Sequence, residues 1–518
     1  MRDARRDEPR ARTRRLELKV DMIRQRSALA LFALFLLLCS LAAAQKKGEG
    51  ARRRAPVADV QRKNRALAAE HYNRGIALLK QQEIDGAIEQ FRMATELRPE
   101  WPEAHLNLGF ALGTKGLLGQ AIAEFEAAVR LKPDYGEAYY YLGTARWFTQ
   151  DIPGAIAALR KATQLMPNHA DAHYYLGLAL QRTRDVQGAL EALSTAVRLS
   201  PNEIEPRHAM GLVLQQDEDL DGAIESFRTV IKLRPDFVQA YNDLGLALVQ
   251  KRDPDGAIEA FRAALKLDPR NVIAHHNLGM ALIQKGDYDG AIAQYRRLIE
   301  IDPNNAEAHY NLALALKQKD RFDDAIAELE RAINLQSSLP EAHYTLGVIF
   351  MQQSKLDRAV EAFRAAVSVK PSYAEAHYAL GTALQQRGDL DGAIAAFRQA
   401  LRLAPEAPEI HNTLGTALRQ KGDLEGARRE FQEAARLNKL KSNMQAAVFA
   451  LNTGLAKLSA GDLPAAVERF EEATRLDPRN AQAYYHLART LQRLGRTQEA
   501  QTAYKRAREL NPRIKPLP

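Results

Sequence analysis

Cysteine is almost missing from this chain: 518 residues carry one thiol, Cys39. A mature form that starts after the leader discussed below has none, which excludes disulfide staples and thiol chemistry. Tryptophan is nearly as scarce, with two residues, and aromatic side chains make up 7% of the whole. No Gly-rich phosphate loop, Cys–His cluster or Ser–His–Asp set stands outside the repeated pattern. The expectation is therefore no enzyme, no cofactor and no metal. Surplus charge is also absent from most of the chain. The formal net charge is +9, but residues 1–66 hold 18 Lys/Arg against 7 Asp/Glu, while the other 452 hold 55 basic and 57 acidic residues. The basicity belongs to the N-terminal region, so no nucleic-acid partner is indicated.

A long apolar run occurs once. Met22, Arg24 and Arg26 form a short basic start, residues 28–38 are apolar, and Ala42, Ala43 and Ala44 supply a small-residue cleavage site before Gln45. Residues 22–44 read as a signal peptide. The alternative is an uncleaved signal anchor, although the 17 residues 28–44 fall short of the ~20 that span a bilayer. Residues 1–21 mix five acids with eight basic residues, which suits a non-native extension before a start at Met22. Leu38 argues against a lipoprotein signal at Cys39, and Glu17 against a twin-arginine signal at Arg14 and Arg15. Residues 45–67 read as a basic, disordered linker. The expected location is exported, periplasmic or secreted, or membrane-anchored through the N-terminal segment.

The rest of the chain repeats itself. Glycines recur every 34 residues at Gly75, Gly109, Gly143, Gly177, Gly211, Gly245, Gly279, Gly347, Gly381 and Gly415, with Ala313 in the one gap. Twelve places later comes alanine (Ala87, Ala121, Ala155), and four beyond that a large apolar residue (Phe91, Phe125, Leu159). Prolines such as Pro99, Pro133 and Pro269 close most units. In the unit 238–271, Tyr241, Leu244 and Leu248 have helical spacing, as do Ile258, Phe261 and Leu265. A glycine inside a helix costs ~1 kcal/mol against alanine, so its recurrence implies a close helix contact, for which Ala257 is the expected partner.

This pattern resembles the tetratricopeptide repeat. The resemblance implies an all-α solenoid, an α-α superhelix of helix-turn-helix units, and covers residues 68–514. Eleven contiguous units occupy 68–441, an insertion or hinge occupies 442–446, two further units occupy 447–514, and 515–518 form a tail. The eleventh unit ends in Lys439 instead of proline, so a lengthened helix or a hinge is expected there. The family commonly holds an extended or helical segment of a partner on the concave face lined by its first helices. The expected partners are therefore other proteins or peptide segments.

Motifs from other chemistries fit the repeat. Asp217, Asp219, Asp221 and Gly222 imitate the opening of a calcium loop, but its twelfth place holds Arg228 instead of the required Glu. Asp219 shares its place with Asp185, Asp253, Asp287, Asp389 and Asp423, where a second helix begins and a carboxylate caps free N–H groups. Eight histidines share another place (His71, His105, His173, His275, His309, His343, His377 and His411). They stand a helix diameter apart, on the order of 10 Å, too far for a shared metal.

Two series on the implied concave face are the candidate binding residues. One is the glutamine row Gln216, Gln250, Gln284, Gln318, Gln352, Gln386 and Gln420; an amide both donates to and accepts from a peptide backbone. Repetition of a good helix former is the competing explanation. Asn73, Asn107, Asn277, Asn311 and Asn452 partly resemble the asparagine ladder of O-GlcNAc transferases, whose catalytic domain is absent here; a recruited partner enzyme such as a glycosyltransferase is the remote alternative. The other series is aromatic: Phe110, Tyr140, Tyr141, Trp147, Phe148, Tyr174 and Tyr175. Trp and Tyr dominate interface hot spots, and packing between adjacent helices is the competing role. Arg146 takes a place held elsewhere by Leu180, Leu214 and Leu248, so its guanidinium needs a partner.

Overall fold

A computed structural model describes residues 57–517. The extension 1–21, the leader 22–44 and the linker as far as residue 56 lie outside the described residues. Those described form 25 α-helices and no strand, and they divide into two compact units at Pro201. The first unit holds α1 (Val57–Lys80), α2 (Ile84–Leu97), α3 (Pro102–Thr114), α4 (Leu118–Leu131), α5 (Gly136–Phe148), α6 (Ile152–Leu165), α7 (Ala170–Arg182) and α8 (Val186–Leu199). The second runs from α9 (Ile204–Gln216) and α10 (Leu220–Leu233) to α25 (Thr497–Leu510). Among the described residues no helix is long and apolar enough to cross a membrane.

Residues 57–67 correct the linker assignment, because they form the first part of α1. The stretch contains neither glycine nor proline, its Ala, Arg, Gln and Lys residues are good helix formers, and Asp59 sits in the first turn, where its charge suits the dipole.

One hairpin shows why the others form. In α11 (Val238–Gln250) and α12 (Pro254–Leu267), the buried residues Leu244, Ala247 and Leu248 share one apolar cluster with Ala257, Ile258 and Phe261. The Asp253 carboxylate accepts the Gly256 N–H and caps α12. Asp151, Asp185, Asp219, Asp287, Asp389 and Asp423 do the same for their helices. The turn between the two helices needs one left-handed residue, here Arg252 at φ 64° and glycine in six other hairpins, as at Gly286. Pro269 then ends the second helix by lacking an N–H.

What lies nearest the recurrent glycine is the large residue of the second helix, with the Ala189 carbonyl also 3.3 Å from a Cβ on Gly177. A Cβ on Gly245 would stand 2.4 Å from the Phe261 ring, and the same relation holds for Gly211 with Phe227 and Gly381 with Phe397. The ring twelve-plus-four places on fills the hairpin, and the glycine is the floor on which it lies.

The histidines tie hairpins at their ends. His105 Nε2 donates to the Pro99 carbonyl at 2.9 Å, while Nδ1 is 2.6 Å from the Glu124 carboxylate. His309 repeats this with Pro303 (3.2 Å) and Glu328 (2.6 Å), and His411 with Pro405 (3.3 Å) and Glu430 (2.6 Å). Arg146 also finds partners: the Glu126 carboxylate at 2.6 Å and the Gly154 carbonyl at 3.4 Å.

Candidate functional site

Within each unit the first helices of successive hairpins touch: α3 with α5 and α5 with α7 in the first, α9 with α11 and α11 with α13 (Val272–Lys285) in the second. Successive second helices do not approach to a comparable extent. Elements that converge on one side and splay on the other make a fan, and the first helices lie on its inner side. Side-chain bonds cross between neighbouring first helices at a constant spacing. Asn107 donates to the Tyr72 hydroxyl (3.0 Å), His208 meets Asp243 (2.7 Å), and Gln215 donates to Gln250 (3.0 Å).

The aromatic series occupies this side of the first unit and forms a connected set of rings. Phe110, from α3, meets Tyr141 edge-on at 5.4 Å; Tyr141 lies 5.1 Å from Tyr140; Tyr140 reaches Tyr175 of α7 at 6.4 Å. Tyr175 meets Phe148 edge-on at 6.1 Å and Tyr174 at 5.2 Å. The helical offset of seven between Tyr141 and Phe148 places both on the side facing neighbouring first helices. Phe148 is 59% exposed and Phe110 39%. Trp147 is half-buried and makes none of these ring contacts.

The members play different parts. Tyr141 also stacks on the Phe125 ring at 5.7 Å, so it belongs partly to the hairpin core. Burial pushes the phenols of Tyr140, Tyr141 and Tyr175 above their usual range, reinforced by the Asp171 charge at Tyr140 and Tyr175 and by Glu137 at Tyr141. Each phenol therefore remains a neutral hydrogen-bond donor across the physiological range. His169 was not foreseen: its ring lies 4.6 Å from Tyr140 while Nδ1 accepts the Ala172 N–H as the cap of α7. Its position at the cap place, where Asn271 and Asn305 stand in other repeats, was the available signal.

The glutamine row lies on the second unit, and all seven side chains, Gln216, Gln250, Gln284, Gln318, Gln352, Gln386 and Gln420, are exposed. Two acceptors are engaged: Gln250 takes a bond from Gln215 (3.0 Å) and Gln420 from Gln385 (2.8 Å). Phe148 sits two repeat periods before Gln216, so this one ring shares its place in the repeat with the amide row. The asparagine series does not continue the row. Asn107 is tied to Tyr72 and to the Glu103 carbonyl, and Asn311 is buried. Among the described residues no group of three or more His, Cys, Asp or Glu side chains is placed to hold a metal ion.

The family profile described as "Tetratricopeptide repeat" matches overlapping segments that together span 111–204 and 208–442, more than half of the 518 residues. The chain belongs to the tetratricopeptide repeat family. A second profile of that description matches 457–515, and one described as "TPR repeat" matches 75–116. Tetratricopeptide hairpins thus extend over most of the chain, and the fold is an all-α solenoid. No curated protein matches it. Among solved structures it is similar to YrrB, titled a TPR protein with an unusual peptide-binding site, at 26% identity, covering 36% of this chain and 96% of that one with a TM-score of 0.34. It is also similar to MamA from Desulfovibrio magneticus RS-1 at 25% identity, covering 32% and 95%, with a TM-score of 0.31.

Proposed function

We propose that this tetratricopeptide array is a protein-interaction scaffold or adaptor of the cell envelope, with no catalysis of its own. It holds an extended or helical segment of a partner against its first helices. The observation that carries the reading is the ring set from Phe110 through Tyr141, Tyr140 and Tyr175 to Phe148, half-buried at its centre and exposed at both ends. Rings held by their neighbours lose little conformational freedom when a partner covers them. The exposed amide row of the second unit offers donors and acceptors to a backbone without selecting its side chains.

The test is capture from a cell-envelope extract on the chain beginning at Gln45, beside its Phe148→Ala and Trp147→Ala variants, with bound proteins identified by mass spectrometry. A protein held by the parent and lost from Phe148→Ala supports the aromatic surface. Equal capture by all three overturns it and moves the site to the glutamine row. Sequencing the N-terminus after fractionation tests the location: Gln45 in the soluble fraction supports export with cleavage. An intact Met22 in membranes supports the anchored reading, in which Lys46, Lys47, Arg52, Arg53 and Arg54 lie against anionic lipid.

A further inference from the structure

The second unit contains one helix unlike the rest. α22 (Leu424–Ser459) runs for 36 residues without a break, serving as the second helix of the repeat 408–441 and the first helix of the repeat 447–480. The insertion 442–446 lies inside it. The apolar clusters separate there: one reaches from Ala223 to Ala427, another begins at Ala466, and the buried Ala434, Leu437 and Ala447 of α22 join neither.

At other junctions the second helix of one repeat covers the first helix of the next. Val230 and Ile231 share a cluster with Ala240, and Ala473 shares one with Ala483. Val230 and Ala473 share a place held at the interrupted junction by the buried Ala434; the places of Ile231 and Ala240 are held there by Ala435 and Phe449. Both lie on α22, 14 positions apart, which is ~21 Å along a helix, so they cannot meet within one chain. Each half consequently leaves large apolar side chains uncovered, while the small Ala434, Ala447 and Ala450 stay buried. Phe449 is 75% exposed, and Leu424 is 69% exposed where Leu220, Phe322 and Leu390 are half-buried.

The two halves match each other. Where Ile231 meets a small Ala240, the residues here are exchanged in size, with small Ala435 on one half and large Phe449 on the other. A large side chain against a small one fills such a junction from either half. Extending the register that sets Ile231 with Ala240 along an antiparallel pair places Phe431 opposite Thr453, Leu424 opposite Ala460 and exposed Leu440 opposite exposed Met444. That pairing is symmetric about Ser442. Any antiparallel pairing of a helix with its own copy is symmetric in this way, so one register serves both copies in an isologous contact.

We propose that the partner of this helix is a second copy of the same chain: two α22 helices cross antiparallel with their two-fold axis beside Ser442, and the repeat 447–480 of each copy stacks on the repeat 408–441 of the other. The exchange restores at two places the stacking that the straight helix denies to one chain.

The test is sedimentation velocity of the full-length chain over a concentration series, with three variants. The parent sediments as a dimer. Met444→Lys, at an exposed position that leaves each copy's core intact, weakens the dimer roughly tenfold or more while helicity is unchanged. In a Cys39→Ala background, Ser442→Cys closes a disulfide between copies on mild oxidation, and Ser459→Cys, exposed on the same helix, does not. A monomer at every concentration overturns the proposal, including a compact monomer whose helix breaks at Ser442 so that its own repeats stack. So does a dimer that ignores Met444→Lys and fails to crosslink at Ser442.

Discussion

Gly245 and Phe261 are in contact closer than any substituted residue allows: a Cβ on the glycine would lie 2.4 Å from the ring's Cε1 and 2.6 Å from its Cζ. Phe261 is fully buried, so the ring has nowhere to retreat. Gly245→Ala gains helix propensity but overpacks the hairpin, and a net loss of about 1–3 kcal/mol is expected. Native-state hydrogen exchange should show the loss in α11 and α12. Adding Phe261→Leu should recover part of it, since Ala313 and Leu329 already coexist at these two places. Equal protection in parent and single variant would refute the contact.

Tyr295 occupies the ring place in its repeat, fully buried above Gly279, and its hydroxyl has no protein partner. Burial holds the phenol well above its usual range. Tyr295→Phe removes the stranded hydroxyl and keeps the ring, so the repeat 272–305 should be stabilised by about 1 kcal/mol. Urea unfolding followed by exchange in α13 reads this; a loss of stability would mean that the hydroxyl has a partner.

His105 and His343 share a place but respond oppositely to pH. At His105 burial disfavours the charge, but the Glu124 hydrogen bond, the Pro99 carbonyl and the Glu124 charge outweigh it and raise the folded value. A raised value means stability that is complete below the ordinary histidine range and fades as pH rises through the folded value. His343 bonds the Ser337 backbone, but nineteen places on, where Glu124 stands for His105, it has Ala362. Burial then dominates and lowers its value, so this repeat loses stability as pH falls through the ordinary histidine range. Glu124→Gln should cost more stability at pH 6 than at pH 8, read by thermal unfolding at both.

Phe148 and Tyr141 separate binding from folding. Phe148 is mostly exposed, so Phe148→Ala should leave thermal stability nearly unchanged while reducing partner capture. Tyr141→Ala removes contacts to Phe110 and Phe125 and should cost about 2–4 kcal/mol. A binding loss in Tyr141→Ala alone would therefore report damage to the hairpin.

The sequence by itself determined the hairpin. A 34-residue period with Gly, Ala and a large apolar residue at fixed offsets leaves one arrangement, because only a helical pair brings those three places together. The caps were equally legible: Asp219 and Asp253 sit where free N–H groups need an acceptor, and both accept from the glycine three residues on. Contacts between elements were not legible, because composition does not say which neighbour fills a gap. The Phe261 ring is what lies nearest Gly245, and Trp147 makes no ring contact with the aromatic set that its spacing suggested. Composition likewise gave 57–67 to the linker, where helix propensity and continuity with α1 prevailed. The insertion at 442–446 allowed either a hinge or a longer helix, since no residue in it forbids helical backbone. Only the folded chain decided for the straight helix, on which the large side chains of Leu424, Leu440, Met444 and Phe449 stay exposed.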